Sequence, residues 1–197
     1  MKQKKVCVLL GSPRKEGNTA ALTEPFVKML EEQGCSCDLI WLYDKEIKPC
    51  IACRVCQKEE NWSGFCCSRQ DDMQEIAEQV MNSQLIVFAG PIYSCYCTPP
   101  TKAAMDRLVY GLSKYYGEKK GPSLWAGKKV ALITTCGYPP EKGADIWEAG
   151  MKRYCKHSGL KYLGMLAERH LSYDIPFMDE EKEKHSREFA ASIAAQL

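Results

Sequence analysis

A chain of 197 residues with a formal charge of +2 has the size of one domain with a full core between sheet and helices. Its basic residues are scattered without a stripe, so the composition offers no footprint for nucleic acid, and nothing in it supports membrane association. Twelve cysteines are many, yet below the density of a disulfide scaffold, which leads us to expect a cytosolic chain whose thiols serve chemistry or metal.

Read in chain order, Lys2, Lys4 and Lys5 precede the apolar run Val6-Cys7-Val8-Leu9-Leu10. That run is too short for a signal sequence and ends in Gly11-Ser12-Pro13, so residues 5–10 read as a buried parallel strand. A helix follows, and Pro25 inside it predicts a late start or a kink, because proline removes a helical hydrogen bond. Residues 37–42 form the second expected strand. A long connection, residues 47–70, then holds Cys50, Cys53, Cys56, Cys66 and Cys67. Met73, Ile76, Ala77, Val80 and Met81 recur at helical spacing, with Asp71 and Asp72 expected in the first turn, where negative charge is favoured. Residues 85–89 are the third strand. Pro99-Pro100 opens a helix through Ala104, Met105 and Leu108, and a second long connection, residues 110–127, carries Tyr115, Tyr116 and Trp125. Residues 129–134 and 161–166 are the last strands. Between them Ala144, Trp147, Met151, Tyr154 and Cys155 make another helical stripe, closed by Ser158-Gly159, and Phe189 and Ile193 mark the final helix. The alternation of strand and helix predicts one α/β domain over residues 1–197, built on a doubly wound parallel sheet.

Residues 11–19, Gly-Ser-Pro-Arg-Lys-Glu-Gly-Asn-Thr, join the first strand to the first helix. Small and hydroxyl residues at a helix N-terminus present convergent N–H donors and a positive dipole end to an anion. Five residues separate Gly11 from Gly17, and Asn18-Thr19 stand where a triphosphate loop requires Lys-Ser or Lys-Thr. The glycines do not match the dinucleotide spacing either. The loop therefore suits the single phosphate of a mononucleotide. With strand order 2-1-3-4-5, the crevice lies between strands 1 and 3, where this loop faces residues 90–97 and the Thr135-Cys136-Gly137 loop. An ordinary capped turn explains residues 11–19 in isolation, but not the convergence of three loops.

Gly-Ser-Pro-Arg-x-x-Gly-Asn-Thr, Asp71-Asp72-Met73, Pro91-Ile92-Tyr93, Lys102 with Asp106-Arg107, and Thr135-Cys136-Gly137 together resemble the flavodoxin-like NAD(P)H-dependent FMN reductases, including the iron–sulfur flavoproteins. The resemblance covers residues 5 to 170. It implies a flavodoxin-like five-stranded sheet of order 2-1-3-4-5 with helices on both faces. It also implies an FMN-dependent oxidoreductase that takes electrons from NADH or NADPH and passes them to a small acceptor, a quinone, nitro or azo compound. Ser12, Arg14, Asn18 and Thr19 would hold the FMN phosphate. Pro91, Ile92, Tyr93 and Ser94 would line the isoalloxazine edge, with Thr135, Cys136 and Gly137 approaching from the next loop. The flavin does the redox chemistry, so no catalytic side chain is assigned. A homodimer is implied, and Tyr115, Tyr116 and Trp125, or aromatics from a second subunit, are expected to cover the open flavin face.

Cys50-x-x-Cys53-x-x-Cys56 has ferredoxin-type spacing, with Cys66 or Cys67 as a fourth ligand. Nine or ten residues fill the last gap, longer than in the iron–sulfur flavoproteins, which favours free or redox-sensitive thiols over a [4Fe–4S] cluster and leaves structural zinc as a further option. An electron carrier with a cluster, and a flavin-free redox-sensing or binding protein, are the rival functions. Asp106-Arg107 is read as a structural pair. Cys95, Cys97 and Cys136 are expected to be small packing residues beside the flavin, and His157, His170 and His185 solvated surface residues.

Overall fold

Strand residues alternate between two cores, and that alternation organises the molecule. The computed structural model describes residues 3–197, so Met1 and Lys2 lie outside the described residues. Five strands, β1 (Lys4–Leu10), β2 (Cys35–Trp41), β3 (Leu85–Pro91), β4 (Lys129–Cys136) and β5 (Lys161–Arg169), form one sheet in the order β2-β1-β3-β4-β5. All neighbours run parallel, with Val8 opposite both Leu39 and Val87. The helices are α1 (Asn18–Glu32), α2 (Met73–Asn82), α3 (Pro99–Leu112), the single turn α4 (Pro140–Gly143), α5 (Asp145–Ser158) and α6 (Glu180–Ala194).

Successive strand side chains point to opposite faces. Cys7, Leu9, Ile86, Phe88, Val130 and Leu132 pack with α2, α3 and α5, whereas Val6, Val8, Leu85, Val87, Ala131 and Ile133 pack with α1 and α6. The central strands are buried on both faces and therefore read as continuous apolar runs. Each fully buried Val, Leu, Ile or Phe contributes about 1.5–3 kcal/mol. Among the described residues no helix is long and apolar enough to cross a membrane.

The expected strands and helices are present, and three local expectations change. Of the late start or kink expected of the first helix, the late start is absent: α1 begins at Asn18 and carries Pro25 inside it, buried. Asp71 and Asp72 precede α2 and clasp the long connection. The Lys48 N–H donates to Asp71 Oδ2 at 2.9 Å and the Glu46 N–H to Asp72 Oδ2 at 2.7 Å. Arg107 completes the clasp with a buried ion pair to Asp71 and a 3.1 Å bond to the Lys48 carbonyl. Trp125 is fully buried, donates to Ser113 Oγ at 3.1 Å and stacks edge-on against Tyr154, so it belongs to the core and not to a flavin cover.

α5 ends as expected, with Gly159 at φ +71°, a left-handed cap that glycine adopts without strain. The C-terminal helix closes the second core over α1: Ser186 Oγ donates to the Leu22 carbonyl at 2.8 Å and Phe26 meets Phe189 at 5.7 Å.

Candidate functional site

The carboxyl ends of β1, β3, β4 and β5 open on a crevice of about 340 Å³, within the roughly 300–1,000 Å³ of small-molecule sites. It lies where the winding direction reverses, the place ligands occupy in open parallel sheets. Ser12, Arg14, Asn18, Thr19, Pro91, Ile92, Tyr93, Thr135, Cys136 and Gly137 line it, so ten of the eleven expected residues come together. Ser94 is the exception. It is exposed and lies with Cys95 at the tip of a tight turn closed by mutual Tyr93 and Tyr96 backbone bonds of 2.8 and 2.9 Å. Both tip residues have left-handed φ, +49° and +66°, as a type I′ turn demands, and this carries Ser94 past the crevice edge.

At one end stands the N-terminus of α1. Its first carbonyl acceptor is Gly17, bonded by the Ala21 N–H at 3.0 Å, so the preceding N–H groups have no helical partner. Gly17 has no side chain with which to cap them. Free donors beside Ser12, Arg14 and Asn18 fit a phosphate group in both charge and hydrogen-bond sense. The loop is held by neighbours: Thr98 Oγ1 donates to the Gly11 carbonyl at 2.7 Å, and Ser12 Oγ receives the Arg14 N–H at 3.3 Å. A Cβ on Gly11 would lie 1.9 Å from Thr101 Oγ1, so close packing requires this glycine. Thr19 and Thr135 hydroxyls meet at 2.9 Å and tie α1 to β4.

The Ile92 N–H donates to the Thr135 carbonyl at 2.9 Å, which locks the β3 and β4 loops into one wall. Burial pushes the Cys136 thiol pKa up, and that of Cys97 up to about 12. Both therefore stay neutral and serve as small packing groups, whereas Cys95 is exposed and does not. Three residues beyond the expected set line the crevice, Pro13 within the first loop and, from the segment after β5, His170 and Tyr173. The His170 and Tyr173 rings meet edge to face at 4.9 Å, and the His170 N–H continues the β5 ladder onto the Cys136 carbonyl at 2.8 Å. His170 is thus a wall residue and not a solvated surface group. Only the placement of β5 beside β4 reveals it.

Tyr115 and Tyr116 lie elsewhere. Tyr116 packs on Tyr110 at 4.5 Å and its hydroxyl meets His157 Nε2 at 2.5 Å, which places it on the cysteine loop. That loop forms a second cavity of about 140 Å³, lined by Cys50, Cys53, Cys56, Cys66 and Cys67 with Arg54, Arg69, Arg107 and Tyr116. It is too small for an organic cofactor. Gln57 anchors the loop to α3, with Nε2 donating to the Tyr110 carbonyl at 2.5 Å.

Ala52 and Arg54, on either side of Cys53, have left-handed φ of +53° and +60°, a strain of about 1–3 kcal/mol each for residues with a side chain. The five thiols share the cavity, yet among the described residues no three His, Cys, Asp or Glu side chains converge into a metal-ligand set. The wall chemistry does fit an anion: the Nε groups of Arg69 and Arg107 are buried without a partner. Cys53 Sγ lies 3.0 Å from Ser68 Oγ, and that hydrogen bond lowers its thiol pKa, whereas burial raises that of Cys56.

Residues 4–144 match a family model described as NADPH-dependent FMN reductase. An iron-sulfur flavoprotein of Methanocaldococcus jannaschii is 35% identical over 103 residues, 52% of this chain and 51% of that protein. An iron-sulfur flavoprotein of Archaeoglobus fulgidus is 31% identical over 133 residues, 68% of this chain and 56% of that protein. The chain thus spans little more than half the length of these relatives. An NAD(P)H:quinone oxidoreductase from Methanothermobacter marburgensis superposes with a TM-score of 0.71 at 17% identity, covering 96% of this chain and 94% of that one. An FMN-dependent NADH-azoreductase from Bacillus anthracis, solved with FMN, superposes with a TM-score of 0.69 at 16% identity over 98% and 99% of the two chains. At such identities the structural likeness is one of fold.

Proposed function

Because this chain belongs to the NADPH-dependent FMN reductase family, we propose that it is an FMN-dependent oxidoreductase moving electrons from NADH or NADPH to a small acceptor such as a quinone, nitro or azo compound. The observation that carries this reading is the convergence of three loops on one crevice that has an uncapped helix N-terminus at its end. Ser12, Arg14, Asn18 and the first-turn N–H groups would hold the phosphate, with Thr19 bracing the helix against β4 through Thr135. Pro91, Ile92 and Tyr93 on one side and Thr135, Cys136 and Gly137 on the other would flank the ring. Held there, FMN would supply two-electron exchange with a nicotinamide and one- or two-electron exchange with an acceptor.

The chain's own contribution is position and exclusion of water. Among the described residues the crevice wall has no carboxylate, and its one cysteine is kept neutral by burial. The β3 and β4 loops are braced by the Ile92–Thr135 bond, so the wall is preorganised. Tyr138, Leu171, Tyr173 and Ile175 are exposed on the segments that follow β4 and β5, and these apolar side chains would meet a second copy closing the site as a homodimer.

Steady-state kinetics of the FMN-loaded protein with NADPH and a quinone or azo acceptor test the reading. The expected pattern is ping-pong, with parallel reciprocal plots. Absence of acceptor reduction with either nicotinamide would refute it.

A second reading is favoured by the cysteine cavity. The chain would also be an iron–sulfur flavoprotein, with Cys50, Cys53, Cys56 and Cys66 or Cys67 holding a [4Fe–4S] cluster. Its support is the pair of unpartnered guanidinium Nε groups facing five thiols, together with the curated relatives' names. Iron and acid-labile sulfide in anaerobically purified protein are expected, and their absence after reconstitution would remove this reading while leaving the first intact.

A further inference from the structure

The cysteine cavity is surrounded by positive charge in excess of its counter-ions. Among the described residues its lining has Arg54, Arg69 and Arg107 but no Asp or Glu. Behind it Lys114 is fully buried, and its ammonium donates to the carbonyls of Cys56, Gly64 and Gly111 at 3.0, 3.1 and 2.6 Å. Three carbonyls solvate an ammonium without neutralising it. Among the described residues no carboxylate pairs with this ammonium, whose partners are those three carbonyls. Burial of a cation without an opposite charge is unfavourable, so the arrangement calls for a nearby anion.

Arg107 gives the same indication from α3. Asp71 takes its Nη1, but its Nε is left without a partner in a side chain only 1% exposed, and the residue lines the same cavity as the Cys67 thiol. Arg69 Nε is likewise buried and unpartnered, in a residue that lines the cavity with Cys53. Three cations from the loop and α3 with its C-terminal extension thus converge on one group of thiols, with Asp71 as the sole carboxylate paired to them among the described residues.

We propose that Arg69, Arg107 and Lys114 are the charge-balancing residues of a thiolate-held iron–sulfur cluster in this cavity. The two guanidinium Nε groups donate to its sulfurs, and Lys114 supports it from behind through the loop carbonyls. The inference rests on the cluster reading above. A thiolate-held cubane carries net negative charge, which increases when one electron is added. Cations and N–H donors at its sulfurs therefore stabilise the reduced state and raise the potential. The three residues are positioning residues and not ligands.

The test is a reductive titration of the full chain, reconstituted anaerobically with FMN, ferrous iron and sulfide, poised with dithionite and followed by the cluster's electron paramagnetic resonance. Wild type is compared with Arg69→Met, Arg69→Lys and Lys114→Met, with iron and sulfide counted in each. Arg69→Met decides, because Arg69 Nε anchors nothing else in the loop. It is expected to keep the wild-type iron content while the reduction equilibrium falls about tenfold, a shift of about 59 mV to more negative potential for one electron. Arg69→Lys restores most of the shift, and Lys114→Met moves the potential in the same direction. If Lys114→Met takes up no cluster, Arg69→Met alone carries the result. Wild-type iron content with an unmoved potential in Arg69→Met overturns the inference and leaves the cluster reading standing. No iron or sulfide in reconstituted wild type overturns both.

Discussion

Replacing Asp71 with Asn removes the negative partner of an ion pair whose side chains are 1% and 0% exposed. Loss of one partner from a buried pair costs about 3–5 kcal/mol, because the remaining charge is left uncompensated. Asp71 also accepts N–H bonds from Lys48 at 2.9 Å and Met73 at 3.2 Å. Asparagine retains one oxygen for them, so the lower half of that range is expected for Asp71→Asn and the upper half for Asp71→Ala. The pH dependence follows from the direction of the carboxyl shift. Burial raises the Asp71 pKa, but Arg107 and the two backbone N–H groups outweigh it and hold the carboxyl below its ordinary value.

A depressed pKa gives stability that is complete above the unfolded value of about 3.9 and is lost as pH falls through the folded value. Urea unfolding of wild type and Asp71→Asn should therefore differ by about 3 kcal/mol at pH 7, with the gap narrowing progressively below about pH 4. A difference under about 1 kcal/mol, the worth of an exposed pair, or a gap unchanged down to acid pH, would refute the buried clasp.

Gly11→Ala places a Cβ 1.9 Å from Thr101 Oγ1 and 2.9 Å from Thr98 Oγ1, and overpacking of this kind should cost about 1–3 kcal/mol in thermal or urea unfolding. Cys95→Gly relieves a left-handed φ of +66° at the price of a freer unfolded chain, and a net gain of about 1 kcal/mol is expected by urea unfolding. Asn18→Ala removes a donor from the phosphate end of the crevice. By calorimetry it should weaken FMN binding by about 1.5–3 kcal/mol, roughly 10- to 150-fold in Kd, without altering riboflavin affinity. Equal losses for FMN and riboflavin would argue against a phosphate contact.

What was legible in the sequence was what local pattern controls. Val6 to Leu10, Leu85 to Ala89 and Val130 to Ile133 are buried on both faces, so their apolar runs announced parallel strands. Met73, Ile76, Ala77 and Val80 recurred at helical spacing because one side of α2 meets the core. The crevice followed from topology, since loops after β1, β3 and β4 must meet where the winding reverses. The misses depend on contacts distant in sequence. Arg107 pairs with Asp71, 36 residues away, rather than with its neighbour Asp106, which binds Lys102. Trp125 is indistinguishable by type from an aromatic lid, and only α3 and α5 packing around it shows that it is core. His170 and Tyr173 enter the crevice because β5 lies beside β4, and Ser94 leaves it because two successive left-handed residues turn the chain.

Anaerobic mixing of FMN-loaded protein with one equivalent of NADPH, and separately of NADH, tests the proposed reductase most directly. Bleaching of the flavin's visible absorbance by at least one nicotinamide, and its return when a quinone is added, is the predicted result. Flavin that dithionite bleaches but neither nicotinamide touches would contradict it.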